Sequence, residues 1–249
     1  MSVSTVPPGR EAPVVLVVAK APVAGGSKTR LGSAIGADQA AALARAMLLD
    51  TLDGCRAEAG IVGVLCANRE EVDLLVELAG PGTPIVVQDG RGLSDALRTG
   101  VRYALEVGDV ALLVSSDIPG IPEGALHRTV QLLRDGADVV LGPGYDGGYW
   151  LIAVREHHPR LFDDIPWSTE GVLDATLARC RELSLNPHVL DPWRDIDTAA
   201  DLRSLAEEVE RLPGRRTAAA VASLSLVGFD MDPRSRDDHA PTIEEVPAR

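Results

Sequence analysis

The sequence predicts a doubly wound α/β domain built on a mostly parallel sheet, and three observations predict it. Residues 13–19 are an unbroken Pro-Val-Val-Leu-Val-Val-Ala run, the pattern of a strand buried on both faces. Short apolar runs recur at 61–67, 84–88, 110–115 and 137–141, and stretches with helical spacing lie between them at 38–59, 70–79, 93–107 and 123–134. Strand and helix alternate, which is the signature of βαβ units. The chain has 249 residues, 45% of them hydrophobic and 24% charged, which suits one large globular domain and excludes a disordered or fibrous chain.

Taken in order, residues 1–12 lack the basic start and apolar stretch of a signal peptide and read as a flexible extension. The five apolar runs then supply the sheet. Right-handed crossovers place the loops that follow its strands on one edge, where ligands of such sheets bind. From Gly142 the pattern changes. Gly147 to Val154 reads as a strand entered through glycines, 168–183 as a helix, 187–190 as a short strand, and a last helix runs from Thr198 to about Arg211. The single domain therefore spans 13–212. Pro213 and Gly214 stop it, and 213–249 is expected to be a mostly disordered tail, charged and proline-bearing after Arg234. The apolar piece 218–229 within it is expected to be a surface extension, with docking on the body or on a partner as the alternative.

A net charge of −13 and a pI near 4.8 argue against nucleic acid as a partner, because such binders need a basic surface. No apolar run approaches the roughly 20 residues a membrane helix requires. Three widely spaced cysteines without a Cys-x-x-Cys pair fit a reducing cytoplasm. The five histidines show no metal-ligand spacing. Oligomeric state is open, a homodimer included.

Five segments carry candidate chemistry. The loop after the first strand, 20–31, holds Lys20, Gly25, Gly26, Ser27, Lys28 and Arg30. Its adjacent glycines let backbone N–H groups approach a ligand, and its cations neutralise phosphate oxygens. Lys20 and Lys28 are also the chain's two lysines; every other cation is arginine. The segment is not a Walker A loop, which needs glycine immediately before the lysine, where this chain has Ser27. The second segment is Ser116-Asp117-Ile118-Pro119 after the fourth strand, where Asp117 is placed to hold Mg²⁺ or Mn²⁺.

The third is Gly142 to Trp150. Its formal match to the dinucleotide fingerprint is false, since it contains Pro143 and leads into a strand. Asp146 there is either a turn residue or a carboxylate projecting into a cleft. The fourth is the aromatic cluster of Tyr145, Tyr149, Trp150, Phe162, Trp167 and Trp193, in a chain with 3% aromatic residues. Core packing explains most of it, with Trp167-Ser168-Thr169 singled out because its hydroxyls either cap a helix or meet an acceptor. The fifth is Asp195 to Asp201, where capping of the last helix suffices for Asp197 and Asp201 and a catalytic or metal role is the lesser alternative, if the segment reaches the cleft.

In these segments the chain resembles the DUF2064, or selenodomain-associated transferase 1, family of nucleotide-diphospho-sugar transferase (GT-A) fold. The resemblance rests on Lys20-Ala21-Pro22, Ser27-Lys28-Thr29-Arg30-Leu31, Ser116-Asp117-Ile118-Pro119, Gly142-Pro143, Asp146-Gly147-Gly148-Tyr149, Trp167-Ser168-Thr169 and Asp195-Ile196-Asp197-Thr198. It implies a nucleotide bound across the first loop and a divalent ion at Asp117. Gly92-Leu93-Ser94-Asp95 also looks like the base-side loop of 2-phospho-lactate and molybdenum-cofactor guanylyltransferases, which implies nucleotide contacts at Gly92 and Leu93.

The leading expectation is a metal-dependent glycosyltransferase with a nucleotide-sugar donor and a small-molecule acceptor. In it Lys28 and Arg30 hold the diphosphate, Asp117 holds the metal, and Asp146 orients the acceptor or acts as base. Tyr149, Trp167, Ser168 and Thr169 shape the acceptor pocket. The alternative is a nucleotidyltransferase that uses a nucleoside triphosphate and a phosphorylated or phosphonate acceptor and releases pyrophosphate. A non-catalytic nucleotide-binding protein is the third reading.

Overall fold

The structure is a computed structural model that describes residues 12–226. The expected flexible N-terminus and the end of the expected tail lie outside the described residues.

A seven-stranded sheet runs in the order β3-β2-β1-β4-β6-β5-β7. Strand β1 (Val14–Val18) pairs in parallel with β2 (Ile61–Cys66) on one side and β4 (Ala111–Ser115) on the other, and β3 (Ile85–Val87) continues beyond β2. The antiparallel element is β6 (Tyr149–Val154), inserted between β4 and β5 (Val139–Pro143); β7 (Pro187–Val189) is parallel to β5 at the edge. This is the mostly parallel, doubly wound sheet expected from the alternation.

The side-chain period of two explains why the strands read as continuous apolar runs. Val15 and Val17 enter a core shared with helices α2 (Ala37–Glu58), α3 (Val72–Ala79) and α5 (Ala125–Arg134), through residues such as Leu52, Leu75 and Leu126. Val14 and Leu16 enter the opposite core, against α4 (Gly92–Val107) and α6 (Val172–Glu182), through Leu97, Val101 and Cys180. Both faces are covered, so no strand shows the polar alternation of a half-exposed sheet.

A third cluster lies at the ligand edge, where α1 (Thr29–Ile35), α2, α7 (Ala199–Leu205) and α8 (Arg215–Leu226) bury Leu31, Met47, Leu202 and Val221 together. It corrects two expectations. The loop 20–31 does not stay irregular: from Thr29 it is helical, with Leu31 fully buried. The segment after Pro213 is not an extension as far as Leu226. It is a helix whose Val221 and Leu224 are buried against the body. Its start is capped by a buried carboxylate, Asp50 of α2, which accepts from the Thr217 N–H at 2.7 Å and the Arg216 guanidinium at 3.1 Å. Two smaller differences concern boundaries: α6 begins at Val172 after a turn at 168–171, and the last predicted helix passes at Ala206 into a 3₁₀ segment, Ala206–Arg211.

The chain leaves β1 outward through β2 and β3, then crosses back to β4 on the other side of β1. The ends of β1 and β4 are therefore the topological switch point, where open α/β sheets bind ligands. There the Ser116 N–H donates to the Val18 carbonyl at 3.1 Å, so the loops carrying Lys20 and Asp117 leave the sheet side by side. Among the described residues no helix is long and apolar enough to cross a membrane.

Candidate active site

Lys28 occupies the N-cap of α1 with φ 50 and ψ 44, a left-handed conformation unusual for a side chain larger than glycine or asparagine. Such backbone persists where its surroundings hold it. Here the carbonyl of Lys28 accepts from the Gly32 N–H at 2.7 Å, and Leu31 anchors the first turn in the core. The side chain, 4% exposed, ends between two carboxylates: Asp117 Oδ1 at 3.0 Å and Asp197 Oδ1 in still closer contact. Burial alone lowers the pKa of this ammonium, but Asp117 and Asp197 outweigh it and hold it above the usual lysine value. Lys28 is a fixed cation at neutral pH.

Asp197 contacts Lys28, so capping, the favoured expectation, does not account for it alone. Residues 193–197 run along the sheet edge. Gly144 bridges Trp193, the Trp193 N–H donates to the Pro143 carbonyl at 2.9 Å, and the Ile196 N–H donates to the Asp117 carbonyl at 2.9 Å. Ile196 is fully buried in the third cluster, so in this extended segment its neighbours Asp195 and Asp197 turn to the other side. The capping work falls on Thr198 and Asp201. The Asp201 carboxylate accepts from the Thr198 N–H at 2.7 Å and the Asp197 N–H at 3.0 Å, while the Asp201 N–H donates back to the Thr198 hydroxyl at 3.2 Å. That reciprocal box leaves the Asp197 side chain to Lys28.

Asp146 fills both roles left open by the sequence. Its Oδ1 accepts from the Gly148 N–H at 2.9 Å, the Asx turn that shapes the β5–β6 hairpin. The same residue lines two adjoining clefts. The hairpin is held by Gly147 at φ +86: a Cβ there would stand 2.1 Å from the Glu170 carbonyl oxygen, and the Leu173 N–H donates to the Gly147 carbonyl at 2.9 Å. Asp195 also borders both clefts. Burial, then the charges of Asp146 and Asp197, push its pKa up to about 6.

The smaller cleft, ≈ 180 Å³, is walled by Tyr149, Trp150, Trp167 and Leu93, and Asp117 also lines it. Tyr149 and Trp167 meet edge to face with ring centroids 6.1 Å apart. The Trp167 indole N–H donates to the Ser94 hydroxyl at 2.7 Å, which in turn donates to the Phe162 carbonyl at 2.8 Å. Trp150 is 3% exposed, and its indole N–H finds no acceptor among the described residues. Ser168, at φ 63, and Thr169 complete the wall; the Thr169 hydroxyl accepts from the Gly171 N–H and so shapes the turn before α6. The larger cleft, ≈ 510 Å³, contains Arg30, Arg194, Asp197 and the exposed Tyr145. Arg194 is paired with Glu208 at 3.1 Å.

The remaining predicted residues are placed less closely. Gly25 and Gly26 are exposed in the turn ahead of Lys28, and Ser27 is buried. Lys20 is exposed and borders neither cleft. Gly92, at φ +77, opens α4, and Leu93 borders the aromatic cleft rather than the loop that carries Lys28. Trp193 is structural, its indole donating to the Gly120 carbonyl at 3.0 Å.

The mostly parallel α/β sheet is that of the nucleotide-diphospho-sugar transferase fold, and Lys28, Asp117 and Asp197 meet at its switch point. A crystal structure from Desulfovibrio desulfuricans G20, described as a nucleotide-diphospho-sugar transferase, superposes with a TM-score of 0.80 at 28% identity, covering 86% of this chain and 95% of that one. A family model described as "Uncharacterized protein conserved in bacteria (DUF2064)" matches residues 51–169. The 3-phospho-D-glycerate guanylyltransferase of Phenylobacterium zucineum is 32% identical over 208 residues, 80% of this chain and 91% of the relative. The 2-phospho-L-lactate guanylyltransferase of Natronomonas pharaonis is 35% identical over 128 residues. That match spans 51% of this chain and about half (54%) of the relative. The chain belongs to the family of the Phenylobacterium guanylyltransferase, and its residues 51–169 match the DUF2064 model. These two relatives transfer nucleotidyl rather than glycosyl groups by their names.

Proposed function

We propose that this protein is a nucleotidyltransferase that joins the nucleoside monophosphate part of a nucleoside triphosphate to a phosphorylated small molecule and releases pyrophosphate. The observation that carries the reading is Lys28, a buried ammonium held between Asp117 and Asp197 where the two halves of the sheet diverge. The guanylyltransferase relatives support nucleotidyl over glycosyl transfer.

In the reaction an oxygen of the acceptor phosphate attacks the α-phosphorus. The bond from that phosphorus to the β-bridging oxygen breaks, and its electron pair leaves with pyrophosphate. Arg30 and Asp197, the partner of Lys28, line the larger cleft, and Lys28 and Arg30 stabilise the charge that accumulates on the departing pyrophosphate. Lys28 is already oriented by its two carboxylates, so it needs no reorganisation as that charge develops. A phosphate monoester is largely ionised at neutral pH, and the attacking oxygen needs no base. Asp146 then serves to position the acceptor, with the Tyr149 and Trp167 walls.

Asp117, Asp195 and Asp197 offer hard oxygen donors suited to Mg²⁺ or Mn²⁺. The crowding that raises Asp195 is what a cation relieves. No group of three His, Cys, Asp or Glu side chains among the described residues forms a ready cage; Mg²⁺ takes one or two carboxylates and would draw the rest of its shell from water and substrate phosphates. Such an ion supplies charge neutralisation across the triphosphate and the acceptor phosphate.

The test is pyrophosphate release from each of the four nucleoside triphosphates with Mg²⁺ and a panel of phosphorylated acceptors. Acceptor-dependent pyrophosphate is the expected result. Release of nucleoside diphosphate and free sugar from a nucleotide sugar, without acceptor-dependent pyrophosphate, contradicts the reading.

A further inference from the structure

We infer that Lys28 competes with a divalent cation for Asp117, giving up that carboxylate to the ion and keeping Asp197. The inference rests on the metal assignment made with the nucleotidyltransferase reading, and it gives Lys28 a role before the chemical step as well as within it.

Burial separates the ammonium from its carboxylates. The Lys28 side chain is 4% exposed, while those of Asp117 and Asp197 are 47% and 44% exposed. Asp117 thus has a buried partner and, away from it, an open side on which an ion and its water shell can approach. An ion held by Asp117 with the ammonium still at 3.0 Å would crowd two cations onto one carboxylate. Like charges repel strongly at that range, and burial of the ammonium limits screening by solvent. The ammonium is the one that yields, because it keeps a second carboxylate and the ion carries twice its charge.

Three features select Asp117 as the carboxylate released. Asp197 makes the closer contact and accepts a hydrogen bond from the ammonium, while Asp117 stands at 3.0 Å. Asp117 and Asp195 line the smaller cleft together, so a second carboxylate is at hand for the ion there; Asp197 lines the larger cleft and not the smaller. The backbone of Asp117 is pinned, its N–H donating to the Ser115 hydroxyl at 3.1 Å and its carbonyl accepting from the Ile196 N–H at 2.9 Å. The exchange therefore needs a side-chain rotation at Asp117 and no movement of the sheet edge. Lys28 stays tethered by Asp197 and by the buried first turn of α1. The exchange precedes the chemistry, and the ammonium is in place when charge develops on pyrophosphate. Because Lys28 opposes the ion, removing it tightens metal binding and slows turnover, two effects of opposite sign from one substitution.

Mn²⁺ titration calorimetry on the full chain, without nucleotide, compares the native protein with Lys28→Met. The variant is expected to bind Mn²⁺ about tenfold more tightly or better, the scale of one charge-assisted hydrogen bond. Arg30→Met removes an exposed cation of the larger cleft that forms no ion pair with Asp117 among the described residues. It is expected to tighten binding by less than about threefold, as a distant, solvent-screened charge does. Equal affinity in the native protein and a folded Lys28→Met, or equal tightening by both variants, overturns the inference. A crystal structure of the native chain with Mn²⁺ tests the exchange without any substitution. The expected result is Mn²⁺ on Asp117, with the Lys28 ammonium hydrogen-bonded to Asp197 and beyond about 4 Å, the ion-pair limit, from Asp117. An ammonium still paired with Asp117 beside bound Mn²⁺ overturns the inference, and Mn²⁺ bound by none of the proteins overturns the metal role of Asp117 with it. Neither measurement contains nucleotide. Pyrophosphate release with an unmoved Lys28 therefore leaves nucleotidyl transfer standing, and its absence beside a demonstrated exchange overturns the transfer reading alone.

Discussion

Lys28 and Asp197 lie 169 positions apart in the chain, yet their side chains form the tightest ion pair of the site. The pair exists because two independent anchors fix its ends: α1 holds the backbone of Lys28, and Ile196 fastens the Asp197 segment to the Asp117 carbonyl. Each anchor is part of the buried cluster among α1, α2, α7 and α8.

Lys28→Met is expected to lower kcat/KM by roughly 10²–10³, the range for removing one preorganised donor from developing charge. Lys28→Arg is expected not to restore it, because a planar guanidinium does not fit a point-charge position between two carboxylates. Steady-state kinetics checks both, with circular dichroism to confirm the fold.

Asp117→Asn is expected to abolish metal-dependent turnover and leave the fold intact, since Asp197 still pairs Lys28. Its backbone role survives too, the carbonyl that accepts from Ile196 being unchanged. Mn²⁺ titration calorimetry and a melting curve separate the two properties; turnover near the native level removes Asp117 from metal binding.

The raised Asp195 carboxyl, at about 6 against an ordinary 3.8, makes two pH predictions. A folded-state pKa above the unfolded one means that the fold holds the proton more tightly. The stabilising contribution is complete below about pH 4 and lost as pH rises through about 6. Without metal, Asp195→Asn is therefore expected to melt no lower than the native protein at pH 7.5, and the difference should vanish near pH 4. Turnover has the opposite dependence: it falls as pH drops through about 6, because a protonated Asp195 no longer attracts a cation. A pH profile of the apparent metal constant checks this.

Asp50→Ala is expected to lower Tm by roughly 5 °C, since it strands buried N–H groups at the start of α8 worth about 1–3 kcal/mol. The effect should reach the active site. The Gly214 N–H donates to the Pro119 carbonyl at 3.1 Å, two residues beyond Asp117, and a Cβ on Gly214 would stand 2.6 Å from Asp50 Oδ2. Differential scanning calorimetry checks the stability, and the metal concentration for half-maximal turnover checks the coupling.

What the sequence made legible, and what it concealed, follows from the range of the interactions. The β1 run and its successors declared themselves because burial on both faces leaves an uninterrupted apolar signature. Lys28 and Asp117 were readable as residues in the loops that follow adjacent strands of a parallel sheet. Helix α1 was not, being seven residues long with Gly32 inside it and a cationic start that suits a loop equally well. Asp197 was masked by its own neighbours: beside the local capping pattern of Thr198 and Asp201 it reads first as part of a helix cap, and the Lys28 contact shows its other use. Helix α8 depends on Asp50, 167 positions before Thr217, and no local pattern reports such a partner. The mixed role of Asp146 could not be divided by sequence because the turn and the clefts use the same residue.

The central claim is that Lys28 receives pyrophosphate leaving from an α-phosphorus. Phosphorus-31 NMR of the native protein with a nucleoside triphosphate, Mg²⁺ and its preferred acceptor tests it most directly, with the Lys28→Met variant alongside. The account predicts that signals of pyrophosphate and of a new diphosphate diester grow together in the native sample and stay absent from the variant over the same time. Equal product from both proteins, or nucleoside diphosphate in place of pyrophosphate, would contradict it.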